Sequence, residues 1–414
     1  MRHLRGSSCL QLTENRTLRG GRPCWVARDD ATTTSDTFPA GDADIVIVGA
    51  GVMGTMLAER LSAQGRRIVL LDRRPPAHGS TAASTALVMW AADVPLTHLA
   101  AMIGTDEAAR RWRRVFAAVG RLAAHIDGTG IDCGRIDRPE LYLAGTLLDD
   151  AELRREGEAR RAAGLPSDYL DGDAVAARFD IASRAALSSG GSYEVDPVRL
   201  TLGLLERART QGAVACFPVD VARIEAVGDA MLVHTEDGRS VRAGEVILAG
   251  GYERATLFLP PAFTVGSSYA IATPPGRAPL WRENAMIWEA SSPYLYTRAT
   301  ADGRVIAGGA DEDFDDARQR DALIGTKSGF LQAGLMAMVA VDDLPIDCAW
   351  AAAFGSSPDG LPAIGRAANH ERLWLASGFG GNGVTFAALG AELIAAALDG
   401  RPDPDATCFD PYRF

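Results

Sequence analysis

The chain has 414 residues, of which 47% are apolar and 23% charged, a balance typical of a globular protein with a substantial core. Its 42 basic and 53 acidic residues give a formal net charge of −11, which disfavours binding to nucleic acids or anionic membranes. Six cysteines without a short CxxC spacing argue against a disulfide framework and against a metal site. No apolar run approaches the roughly 18–20 residues of a membrane span, and we expect a cytoplasmic protein.

The first 41 residues differ in character from the rest of the chain. They are rich in Arg, Thr, Ser and Gly, show no periodic apolar pattern, and lack the apolar centre of a secretory signal. We therefore expect residues 1–41 to form a disordered or loosely docked lead. A transit peptide is the alternative, although the carboxylates of Glu14, Asp29, Asp30 and Asp36 are atypical of one.

A β-turn-α-β unit begins at residue 44. The β-branched run 45–48 predicts a strand buried on both faces, a GxGxxG cluster opens a helix, and the next strand ends at Asp72. This context is the fingerprint of a dinucleotide site, in which backbone N–H groups and the positive helix end hold the phosphates. Asp72 is predicted to accept hydrogen bonds from the adenosine ribose. The turn residues predicted to bind the cofactor are Gly49, Gly51, Val52, Met53 and Gly54.

Two further segments extend this site. After Arg73, a small loop at 79–86 offers hydroxyls to a phosphate and a planar ring, and its predicted cofactor-binding residues are Ser80, Thr81, Ser84 and Thr85. A second glycine cluster precedes an alanine-rich helix, and its predicted residues are Gly378, Gly380, Gly381, Asn382, Gly383, Val384 and Thr385. Two distant glycine-rich helix starts indicate one long cofactor held at both ends. For a flavin, the second helix would direct its dipole at the N1–C2=O edge of the ring.

Taken together, these motifs resemble the FAD-dependent D-amino-acid oxidase superfamily, above all glycine oxidase, sarcosine oxidase and the amine or amino-acid dehydrogenases. The resemblance covers residues 44–414, with its motifs in the family's order. It implies one FAD per chain, with further contacts at Ala249, Gly250 and Val221, the last beside the adenine. It also implies an α/β fold, in which a Rossmann-like FAD-binding domain of the GR2 type is interleaved with an antiparallel-sheet α+β substrate domain.

The predicted elements divide the chain between these two domains. Residues 42–92, 192–252 and 346–414 are assigned to the FAD-binding domain, and residues 93–191 and 253–345 to the substrate domain. Within the latter, two strand patterns flank Asp302-Gly303, which predicts a hairpin.

Strand alternation places Tyr294, Tyr296 and Arg298 on one face, and we predict that they line the substrate pocket as catalytic side chains. A solvated strand face is the alternative. The positions that match the family's carboxylate-binding residues are Phe354, Ala86 and Thr385, none of them basic. Either Arg298 binds a substrate carboxylate in their place, or the substrate is an amine or a bulkier molecule recognised by apolar contacts.

The resemblance implies oxidation of a C–N bond in a small amine or amino acid, by hydride transfer to flavin N5, giving an imine that water hydrolyses. Oxygen or an electron carrier would accept the electrons, and no nucleic-acid partner is expected. Two alternatives remain open: a FAD-dependent 2-hydroxy acid or polyol dehydrogenase, and a non-catalytic flavin-binding subunit of a larger dehydrogenase. FAD is expected to be non-covalent, and attachment through Cys348 is the alternative.

Overall fold

In the computed structural model of the chain, residues 9–11, 17–25, 34–253 and 258–414 are described. The strands are β1 (Cys9–Gln11), β2 (Arg19–Gly21), β3 (Ala43–Val48), β4 (Ile68–Leu71), β5 (Leu87–Val88), β6 (Ile136–Leu143), β7 (Asp168–Leu170), β8 (Ala186–Glu194), β9 (Val214–Cys216), β10 (Val221–Val227), β11 (Ala230–Thr235), β12 (Ser240–Leu248), β13 (Thr264–Ala272), β14 (Met286–Glu289), β15 (Leu295–Ala299), β16 (Val305–Glu312), β17 (Cys348–Ser356), β18 (Ala363–Arg366) and β19 (Leu373–Ser377). The helices are α1 (Val52–Ala63), α2 (Ser80–Ala83), α3 (Leu96–Ile103), α4 (Thr105–Thr129), α5 (Asp150–Ala162), α6 (Gly172–Phe179), α7 (Pro197–Thr210), α8 (Ala317–Ala322), α9 (Ile324–Val339) and α10 (Gly383–Leu398).

The first sheet has the strand order β1-β10-β11-β12-β3-β4-β9, and β19 pairs with β12 and with β18. Its centre is parallel, with β12, β3, β4, β9 and β19 running in one direction. Helix α1 packs against α7 and α10. The four residues of β4 are all buried, as a continuous apolar run in a covered parallel sheet requires.

The second sheet has the order β2-β17-β13-β16-β15-β14-β6-β8-β5, with β7 added at β8. Its pairs are antiparallel except β14 with β6. The predicted hairpin is confirmed, because β15 and β16 pair on either side of residues 302–303. Among the described residues, we find no helix with the length and apolar character that crossing a bilayer requires.

The two sheets confirm the predicted fold class. Two strands of segments that we assigned to the FAD-binding domain, however, belong to the second sheet. Strand β17, which we assigned to the FAD-binding domain, pairs with β13 in the antiparallel sheet, and β5 pairs with β8. The chain therefore passes from one sheet to the other within residues 42–92 and again within residues 346–414. The segment after β4 connects the first sheet to β5 in the second.

The described parts of the lead are docked on the body of the protein. Strand β2 pairs with β17, and the Leu18 carbonyl accepts a hydrogen bond from Ala353 N at 2.8 Å. Asp36 Oδ2 accepts from Ala215 N at 2.8 Å and from Arg209 Nε at 3.1 Å. For residues 17–25 and the segment around Asp36, these contacts argue against disorder, whereas a loosely docked lead stays a prediction. Glu14, Asp29 and Asp30 lie outside the described residues.

Candidate active site

A long cavity lies at the carboxyl ends of β3, β4 and β12 and extends to the face of the second sheet. Ligands of open parallel sheets bind at this edge. All the predicted cofactor residues line the cavity except Gly54 and Thr385. Tyr294 and Tyr296 line it as well, whereas Arg298 does not. The structure thus brings together segments that are about 330 residues apart in the sequence.

The first glycine-rich turn depends on two glycines whose added Cβ atoms would meet backbone. At Gly49, where φ is +119°, a Cβ would lie 2.4 Å from the carbonyl oxygen of Ala249. At Gly54 an added Cβ would lie 1.8 Å from the carbonyl oxygen of Gly49, so a glycine at this position lets α1 pack closely against the turn. Gly51 is the N-cap of α1, whose first turn carries no acidic residue and no side-chain cap. The positive end of α1 therefore faces the cavity.

The Asp72 carboxylate at the end of β4 braces this turn. Its Oδ2 accepts from Ala50 N at 2.6 Å, and its Oδ1 accepts from Arg74 N at 2.8 Å. Burial is the largest influence on this carboxyl and raises its pKa. The neighbouring Arg73 and Arg74 both form ion pairs with the buried Glu253. The hydrogen bonds that Asp72 is expected to accept from a ribose stay a prediction.

The hydroxyl-rich loop lines the cavity, and one of its hydroxyls is buried without a hydrogen-bond partner. Thr81 Oγ1 accepts from Val52 N at 3.0 Å and so joins α2 to the first turn of α1. Ser80 Oγ is buried, lines the cavity and has no hydrogen-bond partner among the described residues. A buried hydroxyl without a partner costs free energy, and a polar ligand in the cavity would satisfy it.

The second glycine-rich turn opens α10 on the same cavity. Asn382 Nδ2 donates to the Ala91 carbonyl at 2.6 Å, so this N-cap side chain does not cap its own helix. Thr385 Oγ1 donates to the Met89 carbonyl at 2.8 Å, which explains why Thr385 positions the helix and does not line the cavity. The first turn of α10 contains no acidic residue. Its N–H groups and dipole are thus available to an electron-rich group.

Aromatic side chains form the far wall of the cavity. The rings of Tyr294 and Tyr296 are 5.8 Å apart and tilted by 31°. Trp288 stacks on Tyr142 with ring centroids 3.9 Å apart, and its Nε1 donates to the buried Glu140 at 3.0 Å. Burial raises the pKa of Tyr296 to about 12 and raises the pKa of Tyr294 as well, so both phenols are neutral hydrogen-bond donors.

Arg298 has a structural position, and the prediction that it is a catalytic residue is wrong. Only 1% of the residue is exposed, and its guanidinium donates to the carbonyls of Thr85, Ala299 and Val195 at 2.6, 3.0 and 2.8 Å. Glu194 lies 3.6 Å away and compensates the charge. Side chains do alternate along β15 as predicted, but Arg298 lies beyond the end of the cavity. The segments that contain Thr85 and Val195 cover it there.

Two carboxylates that were not among the predicted site residues lie near the aromatic wall, Asp93 and Asp311. Asp93 lines the cavity, and its Oδ2 accepts from Gly381 N at 2.7 Å. Burial, and to a lesser degree repulsion from Asp311, raise the pKa of Asp93 to about 6. Asp311 is hydrogen-bonded to the side chains of Ser268 and Tyr294, and burial raises its pKa too. A signal was present for Asp93, because it is the only carboxylate between residues 72 and 106.

Cys348 lies away from the cavity. Its side chain is buried, is not among the lining residues, and has its Sγ 3.5 Å from Asp347 Oδ2. Burial is the main cause of its raised thiol pKa, which disfavours the thiolate. The structure therefore offers no support for a covalent link to a flavin at this residue.

The family model described as FAD dependent oxidoreductase matches residues 44–397. The chain belongs to this family. It is an enzyme family whose cofactor is FAD. The two helix N-termini without a cap from their own N-cap residues and the unpartnered Ser80 hydroxyl fit that cofactor. The resemblance noted in the sequence is thereby confirmed.

Similar proteins divide into two groups. The tRNA 5-methylaminomethyl-2-thiouridine biosynthesis bifunctional proteins MnmC of Paraburkholderia xenovorans and Burkholderia mallei are each 28% identical to the chain, over 89% and 91% of its length. The chain spans 59% and 60% of these curated relatives. Among solved structures, glycine oxidase from Geobacillus kaustophilus has a TM-score of 0.74 at 19% identity, over 91% of this chain and all of that one. Iminodiacetate oxidase from Chelativorans sp. BNC1 has a TM-score of 0.70 at 22% identity, over 89% and 98%. These structures share the fold.

Proposed function

We propose that the chain oxidises the C–N bond of an amine or amino acid, with non-covalent FAD held between its two glycine-rich turns. The observation that carries this proposal is that the N-termini of α1 and α10, neither of which is capped by its own N-cap side chain, open on one cavity with an aromatic far wall. The FAD-binding residues proposed are Gly49, Gly51, Val52, Met53, Asp72, Arg73, Ser80, Thr81, Ser84, Thr85, Val221, Ala249, Gly250, Gly378, Gly380, Gly381, Asn382, Gly383 and Val384. Gly54 and Thr385 support these turns.

Bound FAD would supply the acceptor for two electrons. The contribution of the protein is then to place the substrate carbon and to exclude water. The neutral phenols of Tyr294 and Tyr296 lie at the far wall, where their oxygens can accept hydrogen bonds from a polar substrate. Trp288 and Phe354 line the same space with apolar surface. Oxygen or an electron carrier would reoxidise the cofactor.

Support for C–N chemistry comes from the proteins that share the fold. Glycine oxidase, L-proline dehydrogenase and iminodiacetate oxidase are named for substrates that contain an amine, and all match with TM-scores of 0.70–0.74. Oxidation of a 2-hydroxy acid remains the enzymatic alternative.

A reducing, cytoplasmic setting fits the five cysteines that the structure describes as free.

A second candidate function follows from the curated relatives, whose name refers to a methylaminomethyl group on a tRNA base. Under this alternative, the amine to be oxidised is attached to tRNA. The net charge of −11 opposes it, because binding to a polyanion is driven by basic surface. Retention of tRNA by the protein at about 50 mM salt, lost at about 200 mM, would favour the tRNA substrate.

The test of the proposed function is anaerobic bleaching of the flavin absorbance in the FAD-loaded protein. Amines, amino acids, 2-hydroxy acids and polyols are added in turn. We expect bleaching by members of the first two classes. Bleaching by hydroxy acids or polyols alone would refute C–N chemistry. No bleaching by any class would favour the non-catalytic subunit if the protein also fails to retain tRNA.

A further inference from the structure

Most of the ionisable side chains that line the cavity lie at its first end, beside the turn between β3 and α1. They are Asp72, Arg73, Arg74, His78, Asp220 and Glu253. The segments that carry them are joined there, since Val219 N donates to the Asp72 carbonyl at 2.7 Å and both arginines pair with Glu253. At the other end, beside the second glycine-rich turn, Asp93 is the one ionisable side chain other than a phenol among the lining residues that the structure describes.

Asp93 has a fixed place on the turn that opens α10. Three hydrogen bonds join residues 89–93 to this turn. They run from Gly381 N to Asp93 Oδ2 at 2.7 Å, from Asn382 Nδ2 to the Ala91 carbonyl at 2.6 Å and from Thr385 Oγ1 to the Met89 carbonyl at 2.8 Å. An added Cβ at Gly381 would lie 2.7 Å from Asp93 Oδ1, so a glycine at this position makes room for the carboxylate.

A ligand in the cavity can reach this carboxylate. Asp93 is an exposed residue that lines the cavity, and burial nevertheless raises its pKa, so its accessible surface faces the cavity and not the outside of the protein. Within the part of the chain that the structure describes, only its Oδ2 is hydrogen-bonded. Asp93 Oδ1 is therefore open to a donor on the ligand.

We propose that the Asp93 carboxylate accepts a proton from the ammonium group of the substrate, and that the site therefore captures its amine in the protonated form. This inference rests on the proposed function and deepens it. An ammonium nitrogen has no lone pair, so it cannot form a C=N bond until it has lost a proton. In the proposed step an N–H bond breaks and its proton passes to Asp93. The freed lone pair forms the C=N bond as the neighbouring C–H bond breaks and its hydrogen leaves with two electrons for FAD, which gives an iminium ion that water hydrolyses.

The groups that face Asp93 suit it to exchange a proton near neutral pH. Burial is the largest influence and, together with repulsion from Asp311 on β16, raises the pKa of Asp93 to about 6 against the opposing effect of the Gly381 hydrogen bond. The other titratable groups in its field are phenols whose pKa values are raised by burial, so they are neutral at pH 7. They belong to Tyr142, Tyr252, Tyr294 and Tyr296. Asp93 is thus mostly ionised at pH 7 and is a stronger base than an ordinary aspartate.

The first experiment measures the rate of anaerobic flavin bleaching in the FAD-loaded protein between pH 5 and 9, with subsaturating benzylamine, glycine and L-proline as probes. In the wild-type protein, the second-order rate constant should rise through pH 6 and then stay level until the amine loses its own proton, near the pKa of about 10 typical of an alkyl amine. Asp93→Asn keeps an acceptor for Gly381 N but removes the base, and should lower the rate constant at pH 7 about 100-fold. Its remaining rate should rise about tenfold per pH unit, because only neutral amine then reacts. Asp106→Asn is the matched control, since its side chain is exposed outside the cavity, and its profile should equal that of the wild type.

The second experiment needs no turnover. Binding of the unreactive cation benzyltrimethylammonium is followed by its effect on the flavin absorbance at pH 7, and Asp93→Asn should weaken it about tenfold because the facing charge is lost. Unchanged affinity for this cation would overturn the inference whether or not a substrate is found.

The wild-type profile tests the inference even if Asp93→Asn fails to fold. A rate constant that rises about tenfold per pH unit throughout pH 5 to 9 would mean that the site takes neutral amine from solution, which contradicts proton transfer to Asp93 while C–N oxidation stands. A step at pH 6 that persists in Asp93→Asn would assign the base to another residue and also overturn the inference. Bleaching by hydroxy acids alone would instead remove C–N oxidation itself.

Discussion

Replacement of Arg298 by methionine tests whether this arginine stabilises the fold or binds substrate. Methionine keeps much of the side-chain volume but removes donors to three buried carbonyls, those of Thr85, Ala299 and Val195. Each carbonyl left without a partner costs about 1–3 kcal/mol, and partial relaxation of the loop reduces the sum. Glu194 keeps its contacts with Arg138, whose Nε lies 3.2 Å away. We expect the free energy of unfolding to fall by about 3–5 kcal/mol.

The assay is urea unfolding followed by tryptophan fluorescence, with FAD-loaded and FAD-free protein compared. Arg401→Met is the control, because its side chain is 82% exposed and its loss should change the free energy of unfolding by less than about 0.5 kcal/mol. Affinity for FAD should also fall, since Arg298 holds the carbonyl of Thr85 in the cofactor loop. Wild-type stability together with a selective loss of carboxylate binding would refute this reasoning and restore the predicted substrate role.

Three further predictions concern the cavity. Gly54→Ala should give colourless protein, because the added Cβ would lie 1.8 Å from a backbone oxygen and disturb the FAD-binding turn. The control Gly128→Ala, with nothing within 4 Å of its Cβ, should purify yellow. A Gly54→Ala protein that is equally yellow would contradict the role of the close approach. Ser80→Ala should lower the affinity for FAD about tenfold in a fluorescence titration, because it removes a hydroxyl available to the cofactor. The control Ser189→Ala removes an unpartnered hydroxyl outside the cavity and should leave the affinity unchanged. Equal affinities of the two variants would count against the contact. Binding of the unreactive cation benzyltrimethylammonium, followed by the flavin absorbance, should weaken as the pH falls from 7 to 5. Burial raises the pKa of Asp93, which lines the cavity, to about 6, so this carboxyl is mostly ionised at pH 7 and mostly neutral at pH 5. A flat profile would refute its electrostatic role, since the probe does not titrate.

The sequence was most informative where the determinants of structure are local. A continuous apolar run, a glycine cluster and a helix composition lie next to one another in residues 44–63, so the β3-α1 unit could be predicted with its cofactor turn. The hairpin of β15 and β16 was equally local, because an Asp-Gly pair determines a turn between two alternating strands. In these segments the structure adds distances to a prediction that was already specific.

The lead could not be predicted, because its structure is supplied by another part of the chain. Strand β2 has three residues and no apolar alternation, and it exists through its pairing with Trp350, Ala351 and Ala352 of β17. A partner about 330 residues away in the sequence leaves no periodic signal in either segment. The same reasoning applies to β17, which the sequence placed with the cofactor motifs that follow it and the fold places in the other sheet.

The misassigned arginine and the missed carboxylate have a common explanation in the hairpin register. A turn centred on 302–303 predicts the register of the hairpin to within one residue, and in the observed register Leu295 pairs with Gly309, so that position 311 lies near Tyr294. Asp311 was therefore within reach of sequence reasoning, whereas alternation alone favoured Arg298. What no local pattern reveals is where along β15 the cavity ends, since Thr85 and Val195 close over the arginine from other segments. Strand alternation identifies a face, and only the neighbouring elements decide which part of that face meets the ligand.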